Sequence, residues 1–166
     1  LDWTEVAGVD VGTFAQTALW APFSTGSEMS MYPDLQIGQS PWLYPEQVST
    51  GQVVDFNYLI QNLSDYYASS FDVRLYQSQD SYVDMSDQLI DGDAWDGLAA
   101  WDYFNGTMTF QAPAEPGIYY YAAMADPDAE VLESDEANNW SPVLALEVLP
   151  EVQPAIQGTV YDYGTS

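Results

Sequence analysis

Carboxylates crowded into a segment near the C-terminal end are the side chains of this chain best suited to chemistry. Six of them fall within the eleven positions 126–136, and the chain contains no His and no Cys. Clustered oxygen ligands without nitrogen or sulfur are typical of calcium sites. Val131 stands where an EF-hand loop needs glycine, so the pattern predicts a calcium site of another kind. The candidate ligands are Asp126, Asp128, Glu130, Glu133 and Glu136.

The same segment also has a purely structural interpretation. It closes on Glu136, Asn138 and Asn139, and asparagine side chains satisfy local backbone groups and tolerate left-handed turns. On this interpretation the carboxylates simply face water in a strongly acidic protein. The sequence leaves both interpretations open.

A second acidic cluster lies at residues 80–102. Its most compact part, Asp91, Asp93 and Asp96 with interspersed glycines, resembles an Asp-rich calcium turn with one residue too many. These three carboxylates are further candidate calcium ligands. The alternative is a solvated acidic loop that binds nothing.

The charge balance excludes several classes of function. Arg74 is the one basic residue against 26 acidic ones, which gives a formal net charge of -25. Nucleic acids and anionic membrane surfaces would be repelled, so neither is an expected partner. The absence of Lys, His and Cys removes Schiff-base, Ser-His and thiolate catalysis. No carboxylate pair stands out as a glycosidase pair, and the chain is therefore predicted not to be an enzyme.

Alternating apolar and polar residues indicate short β-strands throughout the middle of the chain. The clearest alternation covers residues 52–62 and 71–78, and shorter runs cover 107–111, 117–125 and 143–149. In 117–125 we expect the inward face to carry Ile118, Tyr120, Ala122 and Met124. Residues 94–104 have apolar positions at helical spacing, which predicts one short helix. The pattern as a whole predicts an all-β antiparallel sandwich of about seven strands.

Several short motifs, in this order and spacing, make the chain resemble the CARDB family, whose members are adhesion modules of bacterial and archaeal surface proteins. The resemblance covers residues 33–149 and implies an immunoglobulin-like sandwich and a surface role. The matching positions are Pro33-Asp34-Leu35, Gly51, Asn62, Leu75-Tyr76-Gln77-Ser78 with Asp80, Gly117, Tyr119, Tyr120, Asp126, Glu133, Glu136, Asn138 and Asn139.

Two segments flank this predicted domain, an N-terminal extension at 1–32 and a C-terminal tail at 150–166. Each holds a short strand-like run, Val6 to Val11 and Ala155 to Tyr163, that could complete the sheet of a neighbouring molecule. Such head-to-tail contacts propagate into filaments when they do not close. The predicted interface residues are Val6, Val9, Val11, Trp20, Ile156, Val160 and Tyr161.

The sequence thus predicts a non-enzymatic extracellular structural or adhesion protein that associates with itself or with other surface proteins. It is expected to be the calcium-stabilised subunit of a filament. The alternative is an accessory carbohydrate- or protein-binding module of a secreted enzyme, because the chain has 6 tryptophans and aromatic rings stack on sugars. Core packing is the simpler use of tryptophan. Three glycosylation sequons begin at Asn62, Asn105 and Asn139.

Overall fold

In a computed structural model of the chain, two β-sheets pack face to face, and the structure describes residues 31–151. The strands are β1 (Leu35–Ile37), β2 (Trp42–Tyr44), β3 (Gln47–Ser49), β4 (Val53–Asn62), β5 (Phe71–Ser78), β6 (Gln88–Trp95), β7 (Tyr103–Gln111), β8 (Gly117–Ala125) and β9 (Leu144–Leu149). The predicted all-β, immunoglobulin-like sandwich is confirmed. Within the described range no helix is long and apolar enough to cross a bilayer.

Strand β4 is the centre of the first sheet. On one side it pairs with β1 and then with β2, and on the other side with β7 over nine consecutive residue pairs. The second sheet has the order β3-β9-β8-β5-β6. Every pair is antiparallel except β3 with β9, which is parallel. The sandwich is therefore slightly more complex than the purely antiparallel arrangement that the sequence predicts.

The core lies between the two sheets and follows from the period-two alternation of the strands. In β4 the side chains of Val54, Phe56, Tyr58 and Ile60 are fully buried, while the residues between them face outward. Strand β5 contributes Phe71, Val73 and Leu75 in the same way. Both alternations were predicted from the sequence and are confirmed.

The predicted helix at 94–104 is wrong. This stretch contains the end of β6, a turn, and the start of β7. Leu98 exchanges two backbone hydrogen bonds with Ala68 and buries its side chain, so tertiary pairing decides the backbone here rather than helical spacing. Trp101 takes the left-handed conformation with φ 58° in the turn before β7. Residues 31–151 form nine strands rather than about seven, and three of them, β1, β2 and β3, have only three residues each.

The inward face of β8 is the opposite of the expected one. Tyr119, Tyr121, Ala123 and Ala125 are buried, whereas Ile118 is 57% exposed. Residues on both faces of β8 are apolar or aromatic, so alternation alone could not distinguish them. The core instead receives the face on which Tyr121 packs against Phe110, with ring centroids 4.8 Å apart.

Candidate functional site

The acidic segment forms the connection between β8 and β9, and Asp126 begins it. Asp126 is buried and has φ 45°, a conformation that Asp tolerates better than most residues. Its carboxylate accepts hydrogen bonds from the backbone N–H groups of Glu130 at 3.0 Å and Val131 at 2.8 Å. Its own N–H donates to the carbonyl of Asp72 at 2.8 Å. Asp126 therefore shapes the loop and anchors it to β5.

Glu133 is the buried carboxylate of this loop, with 6% of the residue exposed. One carboxylate oxygen accepts a hydrogen bond from the backbone N–H of Leu35 in β1, and the other accepts from Asn139 Nδ2 at 2.9 Å. Burial raises the pKa of Glu133 to about 7, and these two hydrogen bonds oppose that shift. The side chain thus ties the β8–β9 connection to the first strand of the domain.

The asparagines that close the loop are also turned inward. Asn138 Nδ2 donates to Asp34 Oδ1 at 2.8 Å, next to the start of β1. The Oδ1 atoms of Asn138 and Asn139 are buried and have no hydrogen-bond partner among the described residues. Buried acceptors of this kind are uncommon in folded proteins. Asp34 was not among the predicted site residues, although it lies in the Pro33-Asp34-Leu35 motif.

Asp128 points to the other side of the loop, where it meets the single cationic side chain. Both of its carboxylate oxygens accept hydrogen bonds from the guanidinium of Arg74, and the Nη1–Oδ1 distance is 2.9 Å. Arg74 also contacts Asp72 at 3.1 Å. The hydrogen bonds from Arg74 lower the pKa of the Asp128 carboxyl. Asp128 therefore forms an ion pair with Arg74, and its carboxylate is not presented to a metal ion.

The predicted calcium ligands of this loop do not converge. Asp126 and Glu133 turn into the protein, Asp128 pairs with Arg74, and Glu130 and Glu136 are exposed. Glu136 accepts a hydrogen bond from the N–H of Glu133 at 3.0 Å. Across residues 31–151 no group of three or more acidic side chains is placed to hold a metal ion.

The second predicted calcium cluster is not a turn. Asp91 and Asp93 lie in the extended strand β6, and Asp96 follows it. The carboxylate of Asp93 accepts a hydrogen bond from the hydroxyl of Tyr58 at 2.6 Å. Tyr58 in turn accepts one from Trp95 Nε1 at 3.2 Å. These groups form a polar link between the two sheets, and burial together with the hydrogen bond to Asp93 raises the pKa of Tyr58.

The three sequons occupy different environments. Asn62 and Asn139 are each 1% exposed, and their amide groups form hydrogen bonds inside the domain. A glycan on either residue would require local unfolding. Asn105 is exposed in β7 and stays a predicted glycosylation site.

The exposed tryptophans that could bind a carbohydrate lie on separate elements. Trp42, 52% exposed, projects from β2 between two open clefts of about 300 and 400 Å³. Trp101, 63% exposed, lies in the turn before β7 and donates a hydrogen bond to Asp65 at 2.8 Å. Trp95 stacks on Phe104 instead, with ring centroids 5.3 Å apart. The described tryptophans therefore do not form one flat platform.

The predicted interface residues Val6, Val9, Val11, Trp20, Ile156, Val160 and Tyr161 lie outside the described residues. The structure does describe the strand edges that such segments could meet. Strand β7 pairs with β4 along one side and contains no Asp, Glu, Lys or Arg. The sequence alone shows that these nine residues carry no charge in a very acidic chain. The order of the strands in the sheet is needed to show that they form an edge strand.

Comparisons with known proteins agree with the fold and with the motifs. The fold is similar to that of the CARDB domain of the PF1109 protein from Pyrococcus furiosus, crystallised in complex with di-metal ions. The TM-score is 0.55 at 22% identity, covering 72% of this chain and 96% of that one. A solution structure of the same domain gives a TM-score of 0.56 at 22% identity, with 72% and 98% covered.

A domain of a predicted cell surface protein from Methanosarcina acetivorans is also similar, with a TM-score of 0.52 at 21% identity. The similarity covers 72% of this chain and 94% of that one. No curated protein is significantly similar to the sequence. The family model named CARDB matches residues 32–142, which is more than half of the chain and lies almost entirely within the range predicted from the motifs. The chain therefore belongs to the CARDB family.

Proposed function

We propose that this protein is a non-enzymatic structural or adhesion module of an extracellular surface, and that it polymerises into filaments by strand exchange. Membership of the CARDB family is the observation that carries the surface role. The immunoglobulin-like sandwich supports it, because such sandwiches expose sheet edges to which an extended segment can add by backbone hydrogen bonds. The strand-like runs in both flanking segments supply candidate donors.

The charge supports a partner that is protein rather than nucleic acid or membrane. A net charge of -25 on 166 residues repels polyanions, and it also makes self-association dependent on screening. Polymerisation is therefore expected to need salt or multivalent cations. Basic surface proteins are the other partners that this charge favours.

Calcium has a place in this proposal as a stabilising ion. The supporting observation is the pair of buried amide oxygens, Asn138 Oδ1 and Asn139 Oδ1, that have no hydrogen-bond partner among the described residues. Amide oxygens are ordinary calcium ligands, and coordination to an ion would satisfy a buried acceptor of this kind. A calcium ion that binds only the folded state raises the stability of that state. Asn138→Ala should then reduce any calcium-dependent rise in melting temperature, whereas Asn105→Ala should not.

A second candidate function is carbohydrate or protein binding as an accessory module of a secreted enzyme. The exposed indole of Trp42 between two clefts favours it. Affinity electrophoresis in polysaccharide gels tests this function directly. A retarded band that Trp42→Ala abolishes would favour the accessory module, and Trp101→Ala is the matched control on another element.

Electron microscopy of the purified full chain with calcium, with a chelator, and at low and high salt tests the main proposal. Regular fibres that fray with the chelator support a calcium-stabilised polymer. Fibres that ignore the chelator keep the polymer and remove calcium from it. Monodisperse monomers under all conditions contradict the filament, although the surface role would stand.

A further inference from the structure

The strand edges of the described domain are unequal in length and charge. Edge strands β1, β2 and β3 have three residues each, and β6 carries Asp91 and Asp93 and has an irregular register with β5. Short length, charge and irregularity are the usual ways in which proteins prevent edge-to-edge pairing. Strand β7 has none of them: it is nine residues long, free of charged side chains, and regular along β4.

Among the described residues, strand β6 and an open cleft lie near β7. Strand β6 of the other sheet approaches β7 at one end, where Trp95 stacks on Phe104 with an interplanar angle of 5°. Towards the other end of β7 lies an open cleft of about 330 Å³, which Gln88, Ile90, Gln111 and Tyr119 line. Ile90 is half-buried and packs against the core. A strand paired with β7 could therefore direct its apolar face towards Ile90 and its polar face to water.

The C-terminal tail has the pattern that this position requires. Residues 156–160 read Ile-Gln-Gly-Thr-Val, and residues 104–108 of β7 read Phe-Asn-Gly-Thr-Met, with apolar, amide, glycine, threonine and apolar residues in the same order. In an extended tail Ile156, Gly158 and Val160 would share one face. Threonine pairs across neighbouring strands are favourable, and residues 155–163 carry one charge, on Asp162.

We propose that the outer edge of β7 accepts a strand from a second copy of this chain, and that residues 155–163 supply the strand. The inference rests on the proposed polymer and names its two contacting elements. Among residues 31–151 that edge of β7 pairs with no strand. Each added strand would form a new row of backbone hydrogen bonds without bringing charged side chains of β7 against the acidic neighbour.

The path of the chain favours a second copy over the same molecule. Strand β9 lies between β3 and β8, far across its sheet from β6. Leu149 is the last residue of β9, and its carbonyl accepts a hydrogen bond from the N–H of Thr50, directly after β3. The tail therefore leaves the sheet at its β3 edge, opposite β6. The tail would have to cross the end of the sandwich to reach β7 of its own domain. The connecting segment begins with Pro150 and ends with Pro154, and prolines favour an extended, stiff linker.

Cysteine cross-linking tests the pairing, since the chain has no cysteine of its own. One full-length sample carries Thr107→Cys in β7 and another carries Thr159→Cys in the tail. The two are mixed under polymerising conditions and treated with a short bismaleimide. We expect covalent dimers of one chain of each kind. Gln47→Cys in edge strand β3 replaces Thr107→Cys in the matched control, and we expect no dimer with it.

Equal dimer yields from β3 and β7, or no dimer with β7, would overturn the proposal. A chain that carries both Thr107→Cys and Thr159→Cys separates the two modes of pairing. Intramolecular cross-linking of dilute monomers would show that the tail pairs with its own β7, and this would also overturn the proposal. A melting curve of each variant verifies that it is folded.

A variant with repulsive charges tests whether the outer edge of β7 is needed for polymerisation. Thr107→Glu with Thr109→Glu places negative charges on β7 opposite an equally acidic neighbour, and it should prevent filaments, whereas Gln47→Glu with Ser49→Glu on β3 should not. Normal filaments from a folded β7 variant would contradict the role of β7 and leave the polymer itself intact. Failure of the unaltered chain to polymerise under any condition would instead contradict the proposed function.

Discussion

The carboxylate of Glu133 accepts a hydrogen bond from the backbone N–H of Leu35, 98 positions earlier in the chain. This contact joins the β8–β9 connection to the first strand of the domain. Asn139 donates to the other oxygen of the same carboxylate at 2.9 Å. The acidic loop is therefore part of the packed domain at this point rather than a solvated appendage.

Glu133 should make the stability of the domain depend on pH. Its pKa rises from 4.5 to about 7 on folding because the carboxyl is buried. The folded state then binds more protons than the unfolded state between these values. Protonated Glu133 therefore contributes fully to the free energy of unfolding below pH 4.5, which is its pKa in the unfolded chain. This contribution is lost as the pH rises through about 7. The loss is on the order of 3 kcal/mol.

Glu133→Gln removes the titration of this carboxyl. Comparison of the variant with the unaltered chain therefore separates the effect of Glu133 from the effects of the other carboxylates. The difference in unfolding free energy between the Gln variant and the unaltered chain should shift by about 2–3 kcal/mol in favour of Gln between pH 5 and pH 8. Urea denaturation in the presence of EDTA measures it without bound cations. Glu130→Gln on the exposed side of the loop is the control. A pH-independent difference for Glu133→Gln would contradict a buried, titrating carboxyl.

The ion pair between Arg74 and Asp128 should contribute little to stability. The side chains are 26% and 54% exposed, and exposed pairs typically give about 0.2–1 kcal/mol. A double-mutant cycle with Arg74→Gln and Asp128→Asn should give a coupling free energy in that range, and it should fall further in about 1 M salt because salt screens the charges. A coupling well above this range would indicate that this single cation organises the loop.

Gly106 of β7 packs directly against the ring of Tyr58. A Cβ atom at this position would lie 2.2 Å from Tyr58 Cζ, and the ring is fully buried. Gly106→Ala should therefore destabilise the domain by about 1–3 kcal/mol, as overpacked cores usually do. Gly92→Ala in β6 is the matched control, since its nearest contact would be 3.4 Å. Equal melting temperatures for the two variants would show that the Tyr58 ring moves aside without cost.

The elements that the sequence predicted well are those with one apolar face. In β4 the alternation of Val54, Phe56, Tyr58 and Ile60 specifies the inward side, because only Val53 and Leu59 are apolar on the other face. In β8 both faces are apolar, and the inward side depends on packing against Phe110, which alternation does not encode. The motifs around residues 33–139 identified the family because their order, rather than any one of them, is specific.

The candidate site was harder to predict for a different physical reason. Six carboxylates in eleven residues look alike in sequence, and their roles depend on which backbone N–H groups and which cation the fold brings near each one. Asp126 meets two N–H groups of its own loop, Asp128 meets Arg74, and Glu133 meets β1. Each of the last two partners comes from a strand far away in the chain. Residue spacing alone could not separate these roles.

Asn62 is the centre of a buried hydrogen-bond network that should be very sensitive to substitution. Its Nδ2 donates to the carbonyl of Tyr66 at 2.7 Å and to that of Leu98 at 3.2 Å, and its Oδ1 accepts from Ser64 Oγ at 2.9 Å. Asn62→Asp keeps the shape of the side chain but replaces the Nδ2 donor by a second carboxylate oxygen. That oxygen would face the carbonyl oxygens of Tyr66 and Leu98 and could not donate to them. An unsatisfied buried charged group costs more than about 3 kcal/mol, and the variant should lose at least that much stability near neutral pH.

Asn105→Asp supplies the matched control, because Asn105 is exposed in β7 and surface substitutions usually change stability by less than about 0.5 kcal/mol. Urea denaturation of both variants at pH 7 measures the difference. At lower pH the buried carboxyl that Asn62→Asp introduces would be protonated and could again donate one hydrogen bond, so part of the lost stability should return. Equal effects of the two substitutions would contradict the network around Asn62, since only that position holds its amide donor against buried carbonyl groups.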